Sequence, residues 1–344
     1  MPPVLKKILP YVAGSLLAGI LLIAIWLIFF RSAPSRGSEA LFRMVPPDAV
    51  CFIESSKPAD MLEEIRQTSM WKDFLETREV RSSEAFFMKM DTLLASFRHL
   101  EKSISEYPAV EGICLTTDST PGVFLILEIP SKIQRTAWRR FIVAMAEGRE
   151  MASARHLGKK IHIIKNTSGT GVFYYSFLKN YLIACNDPVL QHRILEQAGD
   201  GNQSAADDPS FVKVLGTAGK KVSTHFFLHT SRMKIALPAL FGSGMPGFTN
   251  SPYFPDGWSA FDVTIKNNEF IFNGFTALDE ASGPFGTLFL ARDPSDVTIQ
   301  RILPHNTVFS IQACTGDFMD FFGKIRSIRE ISDTLFRKGY HLFL

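Results

Sequence analysis

Cysteine is scarce in this chain of 344 residues, and its four copies, Cys51, Cys114, Cys185 and Cys314, lie far apart. No C-x-x-C pair occurs, which removes the usual zinc and thiol-redox signatures. Four thiols allow three pairings, and spacing does not choose among them. Each lies in or beside an apolar run, so the expectation is buried, free thiols acting as small hydrophobes. None follows closely on the N-terminal apolar run, so lipid attachment there is unsupported. An excess of one charge is also lacking, since 37 Lys and Arg stand against 34 Asp and Glu for a net +3. Without Lys6, Lys7, Arg31 and Arg36 the remainder, residues 37–344, stands at −1. That leaves no basic footprint for nucleic acid. No G-x-S-x-G elbow is present, which removes the commonest serine-hydrolase signature.

What the chain has is an unbroken apolar run, Ile8 to Phe30, whose 23 residues contain no charge. At about 1.5 Å per residue a helix of that length covers roughly 34 Å, enough to cross a hydrocarbon core of about 30 Å. The run is longer than a cleaved secretory signal and ends in Leu27-Ile28-Phe29-Phe30-Arg31 rather than in small residues, so it reads as an uncleaved signal-anchor. Gly14 with Ala18 and Ser15 with Gly19 form small-xxx-small pairs suited to close helix approach. Basic residues flank the run almost evenly. A short inner tail, residues 1–7, places the bulk of the chain in the periplasm, held at the inner membrane by a single pass.

Behind the anchor, residues 31–40 form a flexible tether rich in Ser, Pro and Gly. The fold class read from the rest is α+β, with antiparallel sheets and packed helices. A strand follows Pro46-Pro47-Asp48, and Lys57-Pro58-Ala59-Asp60 opens helices. A helical period runs from about Ser83 to Ile104. Strands at 112–117 and 122–129 flank a turn, Ser131 caps a helix reaching about Ala146, and strands at 160–165, 172–177 and 181–185 make a meander. Asp187-Pro188 caps the next helix. The polar stretch Gly199 to Asp208 reads as a boundary between lobe one, residues 41–200, and lobe two, residues 201–296. Lobe two holds a helix near 211–215, a strand at 222–229, a helix at 231–241 and a hairpin over 258–278. An internal repeat is expected, because Leu303 to Ala313 echoes Val45 to Ser55, with Asp317 falling where Asp60 does. Residues 297–344 then begin a second, shortened unit.

The candidate chemistry is sparse. His225 and His229 are spaced four apart, but they sit in a strand-like context without the Glu of a helical metalloprotease motif, so no metal ligand is assigned. Gly242-Ser243-Gly244-Met245-Pro246-Gly247 matches G-x-G-x-x-G without a strand before it or a helix after it, so no cofactor is assigned. Ser168-Gly169-Thr170-Gly171 lacks the Lys-Ser/Thr of a phosphate loop and reads as a turn. Glu63 with Glu64, Asp207 with Asp208, and Asp317 with Asp320 read as caps or solvated faces, and Arg135, Arg139 and Arg140 as a solvated helix face. No catalytic residue is assigned. Phe is abundant, 30 of 344 residues; most are expected in the core, with an apolar groove as the alternative.

The anchor, the phrase VPPDAVCFIESSKPADML from Val45, GWSAFDVTIKNNEFIFNGFT from Gly257 and ILPHNTVFSI from Ile302 together resemble a domain-of-unknown-function family of single-pass bacterial envelope proteins. The resemblance covers most of residues 41–325. It implies an architecture and a location, and it carries over no catalytic residue. Members tend to continue well beyond this length, in keeping with a shortened second unit. The expectation is therefore a non-enzymatic ectodomain that binds an envelope partner or assembles with itself. A carrier of lipid or apolar peptide and an enzyme of unrecognised type are the alternatives.

Overall fold

Pro46 and Pro47 cannot continue a helix, and the alternating residues behind them form the strand on which the rest is built. The computed structural model describes residues 36–76, 89, 92–97, 100, 104–116, 120–165, 172–200, 203–241, 255–266, 269–278, 282–290 and 316–331. The expected span at 8–30, the echo at 303–313 and most of the expected helix at 83–104 lie outside these. Among the described residues no helix is long and apolar enough to cross a membrane.

Helix α1 (Arg36–Phe42) leads into β1 (Ala49–Ser55), α2 (Pro58–Arg66) and α3 (Ser69–Glu76). Then come β2 (Ala109–Leu115), β3 (Pro121–Glu128), α4 (Lys132–Met145), β4 (Glu150–His156), β5 (Lys159–Lys165), β6 (Val172–Leu178) and β7 (Tyr181–Cys185). Helices α5 (Pro188–Asp200) and α6 (Pro209–Leu215) follow, and then β8 (Thr224–His229) and α7 (Thr230–Phe241). The hairpin β9 (Trp258–Lys266) and β10 (Glu269–Thr276) precedes α8 (Gly283–Thr287) and α9 (Phe318–Ile331). The caps read from sequence are formed. Ser131 and Gln134 close a capping box on α4, and Asp187 accepts from the Leu190 N–H at 2.9 Å.

The described strands form one ten-stranded sheet in the order β10-β9-β8-β1-β2-β3-β7-β6-β5-β4. Every neighbouring pair is antiparallel. The α+β architecture is therefore as expected, but the strands of the two expected lobes share this sheet, because β8 pairs with the side of β1 that β2 leaves open. The described end of the polar stretch between them, 203–208, is tied to the rest of the fold. The buried Ala205 donates its N–H to the Val45 carbonyl at 3.0 Å, and Ser204 and Asp207 box the turn. Strand β4, Glu-Met-Ala-Ser-Ala-Arg-His, lacks apolar alternation and is not legible in the sequence.

One face of the sheet carries Phe52, Val110, Phe124, Ile183, Phe227 and Trp258 beneath side chains of α1, α5 and α6. Its centre is a pile of five rings. Phe52 stacks on Phe227 at 4.9 Å, and Phe42, Phe211 and Trp258 close around them at 5.1–6.0 Å. The opposite face is packed by α4, through Ala137, Trp138, Phe141 and Ile142, over Leu127, Ile164, Tyr175 and Leu182. On that face β8, β9 and β10 leave Phe226, Phe261, Val263 and Ile265 half-buried and Phe272 exposed.

Gly112 lets the pile close. A Cβ there would sit 2.6 Å from both the Phe124 ring and Phe52 Cβ, and 2.7 Å from the Cys51 carbonyl. Gly112→Ala is therefore expected to destabilise the fold by about 1–3 kcal/mol through overpacking. Gly323→Ala, in open space on α9, is the helical control expected to be neutral or stabilising by up to about 1 kcal/mol. Chemical denaturation of the two variants measures the difference.

Candidate functional site

Strand register decides what surrounds the two histidines. On β8, His225 lies opposite Glu54 of β1 on one side and Asp262 of β9 on the other. Its Nδ1 is 2.9 Å from Glu54 Oε2, and its Nε2 is 3.2 Å from the Gly219 carbonyl and 3.4 Å from Asp262 Oδ1. Both ring nitrogens thus face acceptors, the arrangement that an imidazolium satisfies with two N–H donors. Glu54, His225 and Asp262 side chains are only 5%, 14% and 23% exposed. Burial alone would push His225 down. The hydrogen bond and charge of Glu54 outweigh it, with help from the Gly219 carbonyl and Asp262, and the net direction is up. Gly219 completes the arrangement by donating its N–H to Asp262 Oδ1 at 2.9 Å. These two carboxylates are what sequence reasoning missed, since neither lies near His225 along the chain.

His229 has a different environment. It is buried edge-on against Trp258, at 5.1 Å. Burial, reinforced by the Arg232 guanidinium, pushes it down to about 4, so it is neutral at physiological pH. Ser231 Oγ lies 3.2 Å from His229 Nδ1 and donates to Asp256 Oδ1 at 2.5 Å. Ser, His and Asp therefore meet, but the hydroxyl proton goes to the carboxylate and not to the imidazole, the reverse of what nucleophile activation requires. His225 and His229 do not converge either, because the fully buried Phe227 lies between them on the same strand face.

The remaining candidates fall into structural roles. Asp207 accepts from Ser204, and Asp208 caps α6 while accepting from Trp258 Nε1 at 3.1 Å. Asp317 caps α9, and Asp320 pairs with Lys324 at 3.0 Å. Glu63 and Glu64 are exposed on α2, and Arg139 lies over the Phe177 ring at 5.2 Å. Cys51, Cys114 and Cys185 are free thiols. Burial pushes Cys51 up to about 11 and raises the other two as well, which keeps all three protonated. The segments 168–171 and 242–247 and Cys314 lie outside the described residues.

Strand β10 exposes apolar side chains at the end of the sheet. Its run Phe270-Ile271-Phe272 puts large apolar side chains on both faces, the pattern of a strand covered on both sides. Yet among the described strands it lies at the edge, and Ile271, Phe272 and Phe275 are 43%, 54% and 63% exposed. Phe272 joins Phe226 and Phe261 in a patch with ring centroids 6.2–6.5 Å apart on the face away from the main core. The opposite edge, β4, is guarded by charge. Glu150 pairs with Lys165 at 2.9 Å, and His156 meets Glu196 of α5 at 2.8 Å. Strand β10 carries one charge, Glu269, at its start. Such an unguarded edge is a template for another strand.

Comparison with protein-family models, with curated proteins and with solved structures finds no match.

Replacing His225 by Leu removes the imidazolium from the buried Glu54 carboxylate and is expected to cost about 3–5 kcal/mol. The pH dependence has a defined sign. Because the folded pKa lies above the ordinary value of 6.5, this stabilisation is full below pH 6.5 and is lost as pH rises through the folded value. Urea titrations of parent and variant should therefore show a stability difference that shrinks as the pH is raised from 6, with a remainder because a neutral imidazole still donates one hydrogen bond to Glu54.

Proposed function

We propose that this chain is a non-enzymatic, membrane-tethered binding protein. The run at 8–30 holds its α+β domain on the periplasmic side of an inner membrane, and the domain docks on a protein partner through β10 and the adjoining Phe226–Phe261–Phe272 patch. The observation that carries this reading is the mismatch in β10, an apolar pattern suited to two covered faces placed at an edge that no described strand covers. Adding a strand there would satisfy its outward backbone groups, while alternate side chains supply selectivity. The histidines support the same reading indirectly. One is held between carboxylates and the other is buried and neutral, so neither is left to work on a substrate.

Phe272→Glu with Phe275→Glu tests this in the intact envelope. Both side chains are exposed, so the doubly substituted chain is expected to fold normally and to lose its crosslinked partners; unchanged crosslinks would refute the docking face. For topology, a reporter active only outside the cytoplasm, fused after Leu344, is expected to give signal, and silence would move the domain to the other side.

A second reading, carriage of an apolar ligand, has one observation in its favour. An open cleft of about 490 Å³ lies between α2 and the residues Leu94, Ala95 and Ile104, walled by Leu62, Leu94 and Ile104 together with Glu63 and Arg66. That volume lies within the range of small-ligand sites. A fluorescent fatty acid should then bind the parent chain and be lost on Leu94→Glu. Equal binding by both would exclude the cleft.

A further inference from the structure

We infer that the occupant of the β10 edge is the β10 of a second copy, paired antiparallel about a two-fold axis so that two ten-stranded sheets become one. This rests on the docking reading above and names its partner. A continuous sheet keeps each side chain on its own face across the seam, so opposed residues of the two copies must share a face. On β10 the odd-numbered residues from Glu269 face the covered side, alongside Asp262 and Ala260 of β9, and the even-numbered ones face the aromatic patch. Only registers that oppose odd with odd and even with even are allowed.

One allowed register is self-complementary. With Asn273 at the axis, Ile271 opposes Phe275 twice, so the exposed apolar residues of the covered side find each other. Phe272 opposes Gly274 twice, laying each ring over a residue that has no side chain. Gly274 cannot be otherwise, because a Cβ there would run into the Ala260 carbonyl. At the axis two Asn273 side chains meet, each with a donor and an acceptor to offer the other. The single charge, Glu269, opposes Ala277. The two carboxylates then stand roughly 27 Å apart along the strands, beyond the Debye length of about 8 Å. Shifting the axis to Phe272 sets Glu269 against Phe275 and Ile271 against Asn273. Shifting it to Gly274 sets Asn273 against Phe275 and wastes the glycine on itself. A C2 contact of this kind uses the same patch on both copies. A contact of one eight-residue strand is small, about eight backbone hydrogen bonds, so the dimer is of the weak, reversible class and is favoured where copies share a membrane.

The test uses the full chain in detergent micelles. Asn273→Cys places two thiols at a Cα separation of about 4.5–5.5 Å, within disulfide range, whereas Phe272→Cys thiols are offset along the seam. The expected result is a crosslinked dimer from N273C, background crosslinking from F272C and from the parent, and a concentration-dependent dimer of the parent in sedimentation. Phe275→Lys removes both Ile271–Phe275 contacts and should weaken that dimer about tenfold or more, with an unchanged melting temperature. A parent that stays monomeric, or N273C and F272C crosslinking alike, overturns the two-copy pairing. If the parent is monomeric and F272E/F275E still abolishes crosslinks to a different envelope protein, the docking reading stands and only the second copy is wrong. If neither self-association nor partner crosslinks respond to these substitutions, both fail.

Discussion

The stack of Phe52 on Phe227 is the contact on which the rest of the structure depends. It joins β1 to β8, interior neighbours in the sheet, and Phe42, Phe211 and Trp258 bring α1, α6 and β9 to the same point. Ring pairs of this kind add about 0.5–1.5 kcal/mol each beyond the area they bury, and here they share members, so losing one ring loosens several contacts. The two partners come from widely separated parts of the chain. A core made by such non-local pairing incurs loop-closure entropy before its contacts form, which slows folding.

The same register that seats the rings also sets the polar ladder. Two residues beyond Phe52 and Phe227, on the same face, Glu54 meets His225 and His225 meets Asp262. A slip of one residue along β8 would turn Phe227 away from the core and leave a buried carboxylate without its imidazolium, a double penalty. The ladder thus specifies alignment at the point where apolar packing ends. Beyond it, towards β10, cover on both faces thins, and the sheet passes from core to surface within three strands.

Much of the local structure was legible. The caps at Ser131 and Asp187, the β2–β3 pairing, the β5–β7 meander and the β9–β10 hairpin are all short-range consequences of residue type, and residue type is what a sequence displays. Strand β4 was not legible, because its residues carry no apolar alternation and it is held by pairing with β5, the Glu150–Lys165 ion pair and the contact of His156 with Glu196. Nor was the single sheet. Gly199 to Asp208 has the composition of a linker, and only the Ala205–Val45 hydrogen bond and the β1–β8 pairing show that the chain folds back there. Glu54 and Asp262 could not be attached to His225 for the same reason. The exposed apolar edge was half visible: Phe270-Ile271-Phe272 announced an apolar strand, while its place at the end of the sheet is a fact of topology.

The interior position of β1 also sets a timetable. One side of it is closed by β2, but the other waits for β8, and Ser55 and its partner Thr224 are 169 positions apart. At about 5–20 residues per second, a ribosome needs on the order of 10–30 s to supply that distance. Throughout that interval the strand that pairs with the β8 side of β1 has not yet been synthesised.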